Sequence, residues 1–280
     1  MITGGKTHQI LLTIHGNKKA SDPERFIPAS VFKSKFGELL SALKEADKTV
    51  NDKGSHDYVV SHLKIGSAEF GIQERPRDSV KDAPVSSVTA LFQCAEAIYR
   101  SNFSAARRYN GVSERLWKLV SGVEETFAYM DFTDPDHGSI QLDGVFKSQV
   151  RQLITEKAEL ADSAKYFRGQ AFDSFDCQFL ELDFRGRNSR GILVLTGSKV
   201  EIPCVFGPLY TESDMKNYLN QRVWVVGNAI YDGSKPLPAR IEVASMRNIN
   251  QTGRPSDWKG ALKPFEPSDW ESGDDIQQKQ

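Results

Sequence analysis

The chain has 280 residues, of which 39% are hydrophobic and 26% are charged, a composition typical of a globular protein with one large or two smaller domains. Its formal net charge is -1, which excludes the strongly basic proteins that bind nucleic acid through their overall charge. No apolar run reaches the length of a membrane span, about 18 residues, and the N-terminus lacks the features of a signal peptide, so we expect a cytoplasmic protein.

Residues 1–165 show a mixture of strand and helix patterns. Alternating apolar residues predict a strand over 9–15, and apolar residues at helical spacing predict helices over 28–46 and 87–100. We expect these helices to bury Phe36, Leu40, Phe92 and Ala95 against a sheet. Further predicted elements are strands in 58–65 and 68–74, a helix over 113–125, strands in 127–132 and 139–144, and helical spacing over 145–165. The region therefore predicts an α+β domain without strict βαβ alternation.

The region from residue 166 to 250 is dominated by strand patterns. Strands are predicted in 175–184, 191–197 and 199–206, followed by a helix over 211–219 and a hairpin over 221–249. Thr211 and Asp214 predict a capping box at the start of that helix.

This order of three strands, one helix and two strands resembles the OB-fold, a five-stranded Greek-key barrel, and the resemblance covers residues 165–249. It implies a closed barrel, with SH3-like and other small barrels as the alternative. The whole chain also resembles uncharacterised bacterial proteins that place an α+β region before such a barrel, which implies an architecture and no activity. The expected domains are 1–165, the OB-like barrel 166–250, and an irregular or disordered tail 251–280.

Two loops of the predicted barrel carry basic residues. In OB-folds, the loops after the first strand and between the fourth and fifth strands clasp oligonucleotides. Guanidinium groups match phosphate oxygens, and aromatic rings stack on bases, so the pattern predicts binding of single-stranded or structured nucleic acid. The candidate residues are Arg185, Arg187, Arg190, Lys235, Arg240, Trp224 and Tyr231.

The weak charge of the barrel keeps a second interpretation open. Residues 165–250 contain 11 Lys or Arg against 9 Asp or Glu, a net of +2, whereas most nucleic-acid binders are more basic. Trp224 alternates with valines and fits a core position as well as a stacking surface. The alternative is a protein–protein interaction component, an accessory subunit of a small bacterial multi-protein system. The tail carries "PSDW" twice, and Trp258 and Trp270 either dock a protein partner or pack back on the domain.

The sequence contains no motif that specifies catalysis. The glycine-rich phosphate loops, the GxSxG elbow and the HExxH metal motif are absent from the sequence, so we expect a non-catalytic protein without a cofactor or a metal. Asp134, Asp136 and His137 lie together in "DPDHG", which suits a hairpin turn better than a metal site. Three widely spaced cysteines predict reduced, buried thiols; they are Cys94, Cys177 and Cys204.

Overall fold

The computed structural model has a mixed α+β architecture with two five-stranded sheets, which confirms the predicted fold class at this level. It describes residues 8–17, 27–64, 68–78, 84–109, 111–155, 166–207 and 210–249. The tail with Trp258 and Trp270 lies outside the described residues, as do residues 156–165 of the predicted last helix of the N-terminal region.

The N-terminal region contains an antiparallel sheet in the order β2-β3-β1-β4-β5. Its strands are β1 (Gln9–His15), β2 (His56–Lys64), β3 (Ala68–Pro76), β4 (Tyr129–Asp134) and β5 (Gly138–Leu142). Its helices are α1 (Ala29–Asn51), α2 (Ser87–Tyr99), α3 (Phe103–Ala106), α4 (Val112–Val120) and α5 (Gly144–Thr155). The hairpin predicted around "DPDHG" is therefore present, as the turn between β4 and β5.

The helices pack on one face of this sheet, because each strand directs alternate apolar side chains to that side. Phe92 and Ala95 of α2 are buried there, as predicted, whereas Phe36 and Leu40 of α1 are only half-buried beside the core. The residues that α1 buries at its centre are Leu39, Ala42, Leu43 and Ala46.

The second sheet is a closed barrel in the order β10-β8-β7-β6-β9. Its elements are β6 (Arg168–Asp183), β7 (Ser189–Leu195), β8 (Glu201–Phe206), α6 (Glu212–Lys216), β9 (Arg222–Asp232) and β10 (Arg240–Asn248). The β8–β10 pair is parallel and the other neighbouring pairs are antiparallel. A separate apolar core fills the barrel. The predicted capping box of Thr211 and Asp214 is present at the start of α6.

The strand β6 begins seven residues before the predicted start at Phe175. Its first half pairs only with β9, and β7 joins its other edge from Cys177 onward. Polar residues and Gly169 give this half no clear alternation of apolar side chains, so its strand conformation depends on the partner strand rather than on a local pattern.

The barrel contacts the face of the N-terminal sheet opposite the helices. The loop 184–188, between β6 and β7, lies over the outward side chains of β4 and β5, and this contact buries Tyr129, Asp131 and Gln141. The contact includes hydrogen bonds from Arg185 Nη1 to the Gly16 carbonyl (2.9 Å), from the Arg187 N–H to the Asp131 carboxylate (3.0 Å) and from the Asn188 amide to the Ser139 carbonyl (3.4 Å).

No helix in the described part of the chain has the length and the apolar character that crossing a membrane requires.

Candidate functional site

Arg185 in the loop after β6 and Arg190 at the start of β7 turn towards the N-terminal region. Arg185 donates from Nε to Asp183 at 2.8 Å, and Arg190 donates to Asp143 at 3.4 Å. The Arg190 guanidinium also lies 4.3 Å from the centre of the Tyr129 ring, a cation–π contact. We expected both arginines on an open, phosphate-binding loop. In the structure, carboxylates and the Tyr129 ring contact both guanidinium groups, which are partly exposed and line another cleft of about 450 Å³. Their contact with phosphate stays a prediction.

Arg240 is the most deeply buried of the predicted site residues, with no exposed surface. Its guanidinium pairs with Asp143 and lies 4.4 Å from the centre of the Tyr99 ring. Burial alone would raise the pKa of Asp143, but Arg240 and Arg190 outweigh burial and hold that pKa below its usual value. Arg240 therefore belongs to a buried ion pair, and its predicted contact with a ligand does not fit this position.

The other predicted residues lie on the surface at different places. The Arg187 side chain is exposed beside β4 and β5, and Lys235 is exposed on the loop between β9 and β10. Trp224 is half-buried on the outer face of the barrel, with Arg247 of β10 as its cross-strand neighbour. Tyr231 is half-buried and contacts the Phe167 ring edge-on at 5.3 Å.

An open cleft that the sequence did not predict lies where α2 and α3 meet the start of β6. We call it the junction cleft; its volume is about 700 Å³. Arginines line it from both regions: Arg100 at the end of α2, Arg108 after α3, and Arg168 at the start of β6. Glu96 is the one acidic residue in the lining, and Gln170 adds an amide. The lining is thus basic, although the whole chain is not.

Local structure positions each of these arginines. Arg100 is 37% exposed and contacts two carboxylates, Glu96 through Nε at 3.1 Å and Glu242 through Nη1 at 3.4 Å. Arg168 lies 4.8 Å from the centre of the Phe103 ring and donates to the Asp232 carbonyl at 3.1 Å. A guanidinium carries five N–H donors, so the two contacts of Arg100 leave donors for a ligand.

A row of three side chains on the outer face of the barrel stands next to the cleft. The strand register places Phe172 of β6, Asn228 of β9 and Glu242 of β10 side by side. Phe172 is 68% exposed, which is unusual for a large aromatic side chain on a strand. Phe172 is outside the cleft lining, but it lies two positions along β6 from Gln170 of that lining, and Glu242 of the row contacts Arg100.

A second cleft of about 690 Å³ lies between the turn joining β4 and β5 and the strands β8 and β10; we call it the turn cleft. Tyr99, Asn228 and Glu242 line it near the junction cleft, and Arg187 and Asn188 line it on the side of the loop 184–188. Arg187 is the one residue of the predicted set that borders either of these two clefts.

The cysteines are buried and free, as predicted. Burial raises the pKa of Cys94 and of Cys177 to about 12, so both remain protonated thiols at neutral pH. Within the described ranges, no three His, Cys, Asp or Glu side chains are grouped in a way that would hold a metal ion.

Comparison of the chain with family models, with curated proteins and with solved structures found no match. The resemblance to bacterial proteins therefore stays a prediction. The sequence carried one signal for the junction cleft that we did not use: three arginines lie within residues 100–108, around the break between α2 and α3.

Proposed function

We propose that the protein is a non-catalytic binding module and that its ligand is single-stranded nucleic acid, bound in the junction cleft. The observation that carries this proposal is the convergence of Arg100, Arg108 and Arg168 on one open cleft. The exposed ring of Phe172 lies two positions along β6 from Gln170 of the cleft lining. Guanidinium groups bind phosphate through charge-assisted hydrogen bonds, and an exposed aromatic ring stacks on a base of any identity. The cleft and the ring together supply the two contacts that a binder without sequence preference needs.

We also infer that the barrel is an OB-fold. Its first strand pairs with the second and the fourth, its third strand runs parallel to the fifth, and a helix connects the third to the fourth. This order supports the assignment, and OB-folds are a common scaffold for binding oligonucleotides. The loop 184–188 corresponds to the first clasping loop, but it contacts the N-terminal sheet. We therefore assign the ligand to the junction cleft, which remains open.

The test is fluorescence anisotropy with mixed-sequence, labelled single-stranded DNA and RNA at several salt concentrations. We expect Arg108→Ala with Arg168→Ala to weaken binding. The slope of the logarithm of the binding constant against the logarithm of the salt concentration should become less steep, by roughly 0.7 for each lost phosphate contact. The matched control is Arg247→Ala with Lys235→Ala, which removes two exposed basic residues of the barrel outside the cleft lining. Equal losses in both double variants would mean that binding follows net charge alone and would rule out the cleft.

Stacking on Phe172 is tested separately. The variant Phe172→Ser should weaken binding by about 1–3 kcal/mol if one base stacks on the ring. Its fold should be unaffected, because most of the side chain faces solvent. Unchanged affinity in this variant would mean that Phe172 does not contact the ligand.

A protein partner is the second candidate, and the exposure of Phe167 and Phe172 favours it. Phe172 lies in the half of β6 that pairs on one side only, and Phe167 immediately precedes that strand. Such an edge can accept a strand from another chain. The two candidates differ in their dependence on Arg108. Two results together would support the second candidate. The wild-type protein would bind no oligonucleotide at low salt, and Phe172→Ser, but not Arg108→Ala, would abolish binding of a protein partner.

A further inference from the structure

The junction cleft and the turn cleft meet at one ion pair. Arg100 lines the first cleft, Glu242 lines the second, and their side chains contact each other at 3.4 Å. Tyr99, the neighbour of Arg100 in the chain, lines the turn cleft as well. The two clefts are therefore adjacent stretches along the contact between the N-terminal region and the barrel, with this pair between them.

We propose that the Arg100–Glu242 ion pair divides a single binding groove, and that a nucleic-acid phosphate replaces Glu242 at Arg100 when a strand occupies the whole groove. The inference rests on the function proposed above. In the bound state Arg100 contacts the phosphate, and the strand continues from the junction cleft into the turn cleft. Glu242 thus acts as an internal competitor that limits the affinity for longer strands.

The contact distances favour this exchange. Strong charge-assisted hydrogen bonds between nitrogen and oxygen measure about 2.7–2.9 Å, so a contact of 3.4 Å is a weak one. Both side chains are partly solvated, Arg100 at 37% and Glu242 at 24% exposure, so neither becomes a buried, unpaired charge when they separate. The Asn228 amide donates to the same Glu242 oxygen at 3.5 Å, and as the cross-strand neighbour of Glu242 it stays close to the displaced carboxylate.

The turn cleft offers contacts for the strand beyond this point. The exposed Arg187 side chain provides a cation, and the amides of Asn188 and Asn228 provide donors and acceptors for base edges. Asp134 also lines the cleft, but it is buried and accepts hydrogen bonds from the Asp136 N–H and from His137. Glu242 is therefore the carboxylate that a passing phosphate would meet at the boundary.

The experiment compares Glu242→Gln with Glu212→Gln by anisotropy, using labelled single strands of four and fifteen nucleotides. Glu212 is the matched control, since it also pairs with a basic residue, Lys216, but lies on α6 outside both cleft linings. We expect Glu242→Gln to tighten binding of the longer strand on the order of fivefold, with little gain for the shorter strand. Glu212→Gln should leave both affinities close to wild type.

A double-mutant cycle measures how far the effect of Glu242 on ligand affinity depends on Arg100. The gain from Glu242→Gln should disappear in an Arg100→Ala background, because no guanidinium remains for the carboxylate to occupy. A gain that persists there, or that Glu212→Gln reproduces, would overturn the inference while leaving the proposed function standing. Wild-type protein that binds neither strand at low salt would overturn both. Thermal unfolding of each variant checks that the fold is retained.

Discussion

Asp143 connects two of the predicted site residues to the N-terminal region. Its carboxylate pairs with Arg240 and Arg190 and accepts the Phe146 N–H at 3.0 Å, which caps the start of α5. Sequence reasoning assigned the two arginines to a ligand because both lie in loops of the predicted barrel. It had no means to pair them with a carboxylate about 50 and 100 residues away, since that pairing exists only after the two regions come together.

Removing the Asp143 carboxylate leaves Arg240 buried without its counter-charge. We therefore expect Asp143→Ala to lower the free energy of unfolding by about 3–5 kcal/mol, the usual cost of breaking a buried ion pair. Chemical denaturation of the full chain measures this change. The control, Glu212→Ala, breaks the exposed ion pair with Lys216 and should hardly change the denaturant concentration at the unfolding midpoint. Equal midpoints for the two variants would contradict a structural role for Asp143.

The same carboxylate gives the protein a predicted sensitivity to acid. The folded pKa of Asp143 lies below its value of about 3.9 in the unfolded chain, so its contribution is complete above that value. That contribution is lost as the pH falls from about 4 towards the folded pKa. We expect the free energy of unfolding to decline over this window and to decline less steeply in Asp143→Asn. Identical slopes in unfolding titrations between pH 5 and 2.5 would show that Asp143 does not contribute.

Among the secondary-structure elements, the sequence predicted those with a regular apolar pattern best. The strand β1, the helix α2 and the hairpin of β9 and β10 agree closely with their predicted ranges, because each has one clear apolar side. The short helix α3 lies between the predicted helices 87–100 and 113–125, where the sequence predicted no element, because a helix of four residues is too short to show an apolar period. The first half of β6 was not predicted because its side chains show no clear alternation of apolar and polar residues.

The pairing of β9 with β10 depends on a close backbone approach at Gly227. A Cβ atom at this position would lie 2.1 Å from the Glu242 carbonyl oxygen, so the strands must separate to accept any side chain. We expect Gly227→Ala to destabilise the barrel by more than 1 kcal/mol, as overpacking of a core typically does at about 1–3 kcal/mol. Gly197→Ala is the control, since nothing lies within 4 Å of its Cβ position. Equal unfolding midpoints for both variants would contradict the close approach.

For the whole molecule, the main difference from the sequence prediction is the use of the barrel loops. The loop 184–188 fits an OB-type clasping loop in position and composition, yet the Arg185 side chain and the Arg187 backbone N–H contact the N-terminal region. Composition reports that a segment is basic but does not report which surface it faces. The junction cleft could not be predicted from the sequence, because Arg100 and Arg168 are 68 positions apart and come together only in the tertiary structure.

These contacts should make the two regions unfold together. Arg185 and Arg190 reach the N-terminal sheet from the barrel, and Ile230 of β9 belongs to the apolar core of the N-terminal region. We therefore expect a single cooperative transition for the wild-type chain in differential scanning calorimetry. Arg185→Ala with Arg190→Ala removes two of the polar contacts between the regions and leaves the Arg240–Asp143 pair and Ile230, so the coupling weakens and the transition should broaden.

The matched control for this last prediction is Arg222→Ala with Arg247→Ala. Both residues lie on the barrel, and Arg222 pairs with Asp176 of β6, so this variant loses the same two positive charges without touching the N-terminal region. Its calorimetric profile should keep one transition. A single transition of wild-type width in the Arg185 and Arg190 variant would mean that these two arginines do not contribute to the coupling and that the remaining contacts, such as Arg240–Asp143 and Ile230, carry it. Two transitions already present in the wild type would mean that the two regions fold independently despite their buried ion pairs.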